Sequence, residues 1–583
     1  MSLKPEQAEC HAVPAQRLRW AGGLVFACSM MLAACGGGGG GTSSAPSNPP
    51  PSPPPPAPAV ISEAEAARFL TQASFGPTRT EIARVQALGY SQWLDQQMDP
   101  ARTPMTLVLP HIQQILASGL AEEDLTQAHR RNAWLWQAAT APDQLRMRMA
   151  FALSEIFVIS DYESGRAQIP RVADYQDTLA RNAFGSYRSV LKAVTLHPAM
   201  GAYLSHAGNR KATADGKVVP DENYAREAMQ LFSIGLQQRN PDFSPVLDAS
   251  GQPVATYDQA IISAMARVWT GWTYAGLSDA NYGRVDARSY APMQCHPAFH
   301  DDKPKAIFGG IVISNGSNCA ADLEQAIDAL SNYPSTAPFI SRQLIQRFVT
   351  SNPSPAYIRR VAQTWSSSGG DLGRVLRAIL LDGEARNLPA ASDTTFGKPR
   401  EPLLRIAHLW RAYQARYVPP ADGSLRFRAG NTADLTLSIA QDSQRAPSVF
   451  NFFEPDYRIP VADGSQGAYA PELQIVNEST FTTGHNQTDA LLWNYASTAA
   501  PTAPTNAPVL DITRLAQLAD AGDHAGMVQD VNLLLHGGNL SAASAGSMTR
   551  MLDKLRTDGR SSSERVRSLL LVSLLSPDYA IQR

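Results

Sequence analysis

Glu222, Asn223, Arg226 and Glu227 crowd the first half of the stretch PDENYAREAMQLFSIG (220–235), which then turns apolar and ends on Gly235. Two carboxylates around a guanidinium are groups that general acid–base catalysis uses, the cation tuning the acids. Glu222 and Glu227 are therefore candidate catalytic residues, with Asn223 and Arg226 as candidate binding groups. A structural account is also complete. With Asp221 as N-cap and Gly235 just past the end, the spacing predicts a helix from Glu222 whose Tyr224, Ala225, Ala228, Leu231 and Phe232 share one apolar face. Glu222 and Arg226 then pair at i,i+4. On such a helix the two glutamates stand about 140° apart, so one helix alone does not aim both at one bond.

A second candidate lies in CHPAFHDDKPKAIFG (295–309). His300 with Asp301 suits acid–base work, and His296, His300, Asp301 and Asp302 are types that hold a divalent metal. The alternative is a polar loop in which Lys303 and Lys305 pair with the aspartates. His197, in a His-Pro step, is a further candidate binding residue, although such a step also caps or turns the chain.

Several signatures are missing from the sequence. There is no HExxH and no CxxC pair, so no metal site is expected. There is no GxSxG nucleophile elbow, and GNRKATADGKVV lacks the glycine spacing of a phosphate loop. No dinucleotide fingerprint follows a strand, so no organic cofactor is expected. The 583 residues carry a formal charge of -2 with no basic stripe, which speaks against a nucleic-acid partner.

The N-terminus reads as an address. Arg17 and Arg19 precede an apolar run that ends in Leu-Ala-Ala-Cys at Cys35. That run is shorter than the roughly 20 residues a membrane span needs. It predicts a lipoprotein signal peptide over 1–34 and lipid attachment at Cys35, giving a membrane partner through the anchor. Residues 35–61 continue as a Gly- and Pro-rich tether that cannot bury a core. Gly36 after the cysteine resembles the sorting signal for the outer membrane, periplasmic or surface facing. Of five cysteines, Cys295 and Cys319 alone remain in the mature body, and an even pair in an oxidising compartment predicts a disulfide.

From Ser62 to the end the pattern predicts a mainly α fold, a multi-helix body over 62–583 with long loops. Ser62–Glu65, Thr78–Glu81 and Thr256–Gln259 read as helix starts, the second helix closing near Gly89. At most one small β-hairpin element is expected, at AIFGGIVIS (306–314). Loops are predicted at 206–219, 240–255, 276–320, 384–398, 415–431 and 455–510; loops of that length are often functional. QRAPSVFNFFEPDY (444–457) and GKPREP, with Lys398, Arg400 and Glu401, are rigid segments suited either to floor a groove or to pack a core.

Several stretches together resemble a bacterial family known as domain of unknown function 1800: RFLTQASFGPT (68–78), LARNAFGSYRSVLKAVTLHPAMGAYL (179–204), PDENYAREAMQLFSIG, FHDDKPKAIFG (299–309), LIQRFVTSNPSPAYI (344–358), FGKPREPLLR (396–405) and APSVFNFFEPDY (446–457). The resemblance implies a predominantly helical, exported protein. Members are often encoded beside a family that resembles alkaline phosphatases and sulfatases. No activity, cofactor or catalytic residue is implied. Many members carry Trp-His-Asn-His-Phe where this chain reads LSEIF (153–157), which argues against a histidine metal site there.

Two functions are carried forward. One is a hydrolase or lyase acting on an envelope or extracellular polymer such as polysaccharide, through Glu222, Glu227, His300 and Asp301. The other is a non-enzymatic binding or assembly protein for surface polymers or secreted partners.

Overall fold

Ser62 opens the helical body as its sequence predicts. Its hydroxyl accepts from Glu65 N at 3.2 Å while the Glu65 carboxylate accepts from Ser62 N at 2.8 Å, and the helix Glu63–Ala73 follows. Such a reciprocal cap satisfies two backbone donors that the first turn leaves free. Thr78 caps the next helix, Arg79–Met98, by accepting from Glu81 N. Gly89, at φ 75°, bends that helix instead of closing it. The third predicted start is displaced by two residues. Asp258, not Thr256, caps Gln259–Val268, because the Thr256 hydroxyl is turned back onto Gly235 O.

A computed structural model describes residues 60–162, 168–285, 289–388, 393–425, 427–429, 433–434, 439–461 and 466–583. The leader, Cys35 and the tether up to residue 59 lie outside them. Among the described residues the chain forms twenty-two α-helices and six two-stranded sheets, a mainly α fold. Residues Val60–Arg583 make one compact unit. No described helix is long and apolar enough to cross a membrane.

The β content exceeds the single hairpin expected. Lys305–Ala306 pairs antiparallel with Val312–Ile313 around a turn at Phe308–Gly310, which is the hairpin predicted at 306–314. Trp272–Thr273 pairs with Gln294–Cys295, and Lys398–Pro399 pairs with Ile581–Gln582. The loop at 240–255 runs as a meander, with Gln237 bridging Ala255, Arg239 bridging Pro245 and Leu247 bridging Pro253. The segment 455–510, expected to be loop, contains the helix Glu478–Tyr495. Its first turns, ESTFTTGHNQT, are weak helix formers, so periodicity alone does not reveal it. A capping box between Asn477 and Thr480 starts it.

Cys295 and Cys319 form the predicted disulfide, Cα to Cα 6.0 Å. It ties the Gln294–Cys295 strand to the first residue of the helix Cys319–Asn332.

One continuous core runs through the helices, with Trp93, Trp269 and Trp410 fully buried. The core also buries arginines: Arg130, Arg148, Arg171 and Arg347 rank among the largest fully buried side chains. A guanidinium without water needs a protein partner or a ligand. Arg130 finds Asp161 at 2.6 Å, both fully buried. Arg148 and Arg347 meet over one helix, Thr336–Phe348, which brings the fold to its cavity.

Candidate functional site

The residues picked out by type and spacing make internal contacts. Glu222 accepts from Arg226 at 3.0 Å, from Gln259 at 2.9 Å and from Ser263 at 2.7 Å, and these donors hold its carboxyl below the usual range, Ser263 most. The spacing's i,i+4 pair is thus present. Glu222 also serves as the N-cap residue of a shorter helix, Asn223–Gln230, while Asp221 Oδ1 accepts from Asn223 N at 2.8 Å. Asn223 is exposed. Glu227 is buried with Oε2 lacking a hydrogen-bond partner, and burial raises its carboxyl despite the nearby Arg226 charge.

His300 is fully buried between Thr270 O, 2.7 Å from Nδ1, and Asp322 Oδ2, 3.0 Å from Nε2. Asp301 pairs with Arg267 at 2.7 Å. His197 caps the short helix Pro198–Tyr203 by accepting from Ala199 N, and its other ring nitrogen lies 3.2 Å from Asp174. No hydrogen bond or ion pair among the described residues joins Glu222 or Glu227 to His300 or Asp301. None of these seven residues lines the cavity described next.

That cavity holds about 570 Å³ and opens between five stretches of chain. The first is the tail of the opening motif, Gln230, Leu231 and Gly235. The helix there ends at Gln230, four residues earlier than the spacing predicts. Past Gln230 the backbone widens, with Phe232 N donating to Glu227 O and Ile234 and Gly235 N both donating to Met229 O. Gly235 closes this turn at φ 70°, where its own Cβ, if present, would lie 3.0 Å from the Phe339 ring. Glycine is needed there for both conformation and space. The second stretch is the meander, through Arg239, Phe243 and Pro245.

The third is the helix Thr336–Phe348. Phe339, Arg342, Gln343 and Arg347 recur at three- and four-residue spacing, so one face of this buried helix presents polar groups to the cavity. The guanidinium of Arg342 lies 4.8 Å from the Phe243 ring and 4.6 Å from the Tyr469 ring, and it donates to Pro455 O at 3.2 Å. Burial depresses its pKa, but an arginine so placed keeps its charge at neutral pH. The fourth is VFNFFEPD (449–456), whose Pro455 and aromatics wall the cavity and whose Glu454 and Asp456 sit exposed at its rim. Asn451 here adopts φ 67°, a left-handed conformation that asparagine tolerates.

The fifth stretch supplies Glu155, just past the helix Gln144–Ser154. Arg347 Nε is 3.3 Å from Glu155 Oε2, within ion-pair range but not aligned as a hydrogen bond, and Glu155 shares a hydrogen bond with Glu401. Behind it lies a water-excluded cluster. Lys398 Nζ reaches Glu401 at 3.2 Å, Glu472 at 3.0 Å and Arg347 O at 3.1 Å; Gln441 donates to Glu401 at 2.8 Å, and Arg148 donates to Arg347 O. Burial, then the charge and hydrogen bonding of Glu401, push the Glu155 carboxyl well above its usual range against the pull of Arg347. Burial alone would also raise Glu401, but Lys398, the Glu155 hydrogen bond and Arg148 outweigh it and hold that carboxyl down. Glu155, Glu401 and Glu472 share one dry site in which like charges oppose one another, and their surroundings drive Glu155 up and Glu401 down.

Sequence reasoning reached parts of this site. It singled out VFNFFEPDY and Lys398–Glu401 as groove or core segments, and it singled out LSEIF for what it lacks. It missed Arg342, Gln343 and Arg347. The signal available was a polar stripe, Arg-Gln-x-x-Gln-Arg, inside an otherwise apolar helix.

Among the described residues no group of three or more His, Cys, Asp or Glu side chains could hold a metal ion. No curated protein and no solved structure matches this chain. A family described as Protein of unknown function (DUF1800) matches residues 68–581, which span all five stretches of the cavity, and the chain belongs to that family.

Proposed function

We propose that this protein is a cell-envelope lipoprotein, anchored through Cys35 and tethered by residues 36–61, whose helical body hydrolyses or eliminates glycosidic bonds of an envelope or extracellular polysaccharide in the Glu155 cavity. The observation that carries the reading is Glu155: a buried carboxyl hydrogen-bonded to Glu401 and pushed toward its acid form by burial and by that neighbour, among the residues that line an open cavity. An acid so tuned suits proton donation to a leaving oxygen.

In the hydrolytic form Glu155 gives its proton to the glycosidic oxygen as the bond to the anomeric carbon breaks. Water adds to that carbon and its proton passes to an exposed carboxylate of the rim, for which Asp456 is placed. Glu155 then recovers a proton from solvent. This assignment moves the chemistry from Glu222, Glu227, His300 and Asp301, whose contacts serve the fold, to a buried carboxyl among the residues that line the cavity.

The test is a polysaccharide degradation screen with the full-length chain and its Glu155→Gln variant. Loss of cleavage by about 100-fold or more with binding retained supports Glu155 as the acid. Unchanged cleavage removes it from that role.

A binding-only role has one observation in its favour. Glu401, the partner that sets the acid form of Glu155, is fully buried and does not line the cavity. Saturable binding of a polymer without any cleavage by the wild-type chain would decide for it.

A further inference from the structure

The cavity's unmet hydrogen bonds are mostly donors. Arg347, 2 % exposed, leaves Nε and Nη1 without a hydrogen-bond acceptor; Gln343, 5 % exposed, leaves Nε2, and Asn451, 7 % exposed, leaves Nδ2. Three side chains on two separate elements therefore face the same space with N–H groups that no protein oxygen accepts. Each such group carries a desolvation cost while it stays unpaired. A shared ligand rich in acceptors removes that cost from all three at once.

The charge agrees. Arg239 and Arg342 join Arg347 on the wall, and Asp456, whose charge acts on both Arg239 and Arg342, stands exposed to water at the rim. Of the three acids on the wall, Glu454 and Asp456 stand exposed at the rim, and Glu155 inside is pushed toward its neutral form and does not oppose an anion. Guanidinium groups held by aromatic rings are suited to oxyanions.

The rest of the wall is aromatic. Phe243 and Phe339 stack with centroids 6.5 Å apart, and Phe450 is 44 % exposed at the mouth. At about 570 Å³ the space is larger than a lone anion fills and falls in the range of roughly 300–1,000 Å³ typical of organic ligands. Faces of C–H groups beside charged oxygens describe a sugar bearing an acidic group.

The geometry points to an acidic polysaccharide as the ligand of this cavity, its carboxylate or sulfate paired with Arg342 and Arg347 and hydrogen-bonded by Gln343 and Asn451. This rests on the polysaccharide reading of the same cavity and names the class of chain it takes.

The experiment measures binding and cleavage of three polymers by the full-length protein: a polyuronate, a sulfated glucan and the uncharged glucan. Two variants accompany it, Arg342→Gln and Asn451→Asp, each checked by thermal melting. Asparagine and aspartate both tolerate the left-handed backbone, so Asn451→Asp keeps the wall folded while replacing a donor with a negative charge. The expected result is binding of one or both acidic polymers, weakened at least about ten-fold by either variant, with the uncharged glucan bound weakly and unaffected. Preference for the polyuronate or the sulfated glucan identifies the acidic group.

Equal binding of charged and uncharged glucan, or acidic binding indifferent to both variants, overturns the inference and leaves a polysaccharide role standing. Acidic binding with no cleavage supports the inference and overturns the enzymatic reading. No binding of any of the three overturns both.

Discussion

Arg347 and Glu155 face each other at 3.3 Å where the open cavity meets the buried charge cluster. The contact is close but unaligned, and the Glu155 carboxyl is hydrogen-bonded to Glu401 instead. On its other side Arg347 offers its carbonyl to Lys398 and Arg148, so the backbone of the same residue anchors the cluster. The Thr336–Phe348 helix thereby joins a dry ionic network to a ligand-sized space.

Glu155 makes stability depend on pH in a defined direction. Its folded-state pKa lies above the unfolded value of about 4.3, so the folded chain binds the extra proton. Stability from this group is fully present below the unfolded value and is lost as pH rises through the folded one. Glu155→Gln, neutral at every pH, should melt close to wild type in acid and increasingly above it as pH rises. Parallel melting curves across the pH range would show that Glu155 is ionised in the folded chain.

Lys398 and Glu401 are both fully buried and 3.2 Å apart. Removing Lys398 takes the shared cation from Glu401 and Glu472, removing Glu401 leaves Lys398 with Glu472 alone, and breaking such a buried pair costs about 3–5 kcal/mol. Lys398→Met or Glu401→Gln alone should each lower stability by about that amount. The double variant should lose less than the sum of the two, as a double-mutant cycle in denaturant would measure.

His206 and His536 are buried neutral, with pKa values lowered to about 4, chiefly by burial. Here the unfolded chain takes up protons that the folded chain refuses. Stability should therefore fall as pH drops from about 6.5 toward 4, by up to roughly 3 kcal/mol for each ring. His206→Gln keeps a donor for Thr195 O, which the ring nitrogen meets at 2.8 Å, and should flatten that part of the profile.

The Cys295–Cys319 bridge closes a loop of 24 residues' separation. Closing a loop of that size restricts the unfolded chain by about 3 kcal/mol. Replacing both cysteines with serine should lower stability by about that much. Polysaccharide binding should persist, because neither cysteine lines the cavity.

Much of the architecture is written locally. Ser62 with Glu65 sets a helix start, Gly235 marks a left-handed turn, residues 305–313 close a hairpin and Cys295 pairs with Cys319, each through groups near in sequence or few in number. The motifs quoted from 68 to 457 carry the family. Local rules also mislead at particular places. Thr256 looks like a cap and instead bonds Gly235 O, and 478–495 looks like loop and is helix.

The cavity is decided elsewhere. Its walls come from Glu155, 230–245, 339–347, 449–456 and Tyr469, segments brought together only when the helices pack. Whether a carboxyl is an acid or a carboxylate depends on how much water reaches it and which charges stand beside it, and neither is a property of its sequence neighbours. Glu222 and Glu227 look catalytic because they are close in the chain. Glu155 and Glu401 lie 246 positions apart by their numbers, and only burial against Arg347 and Lys398 makes them a pair. The sequence by itself determined a helical body, its caps and its family; the tertiary structure alone decided which charges are dry, because desolvation is set by what packs on a residue and not by what precedes it.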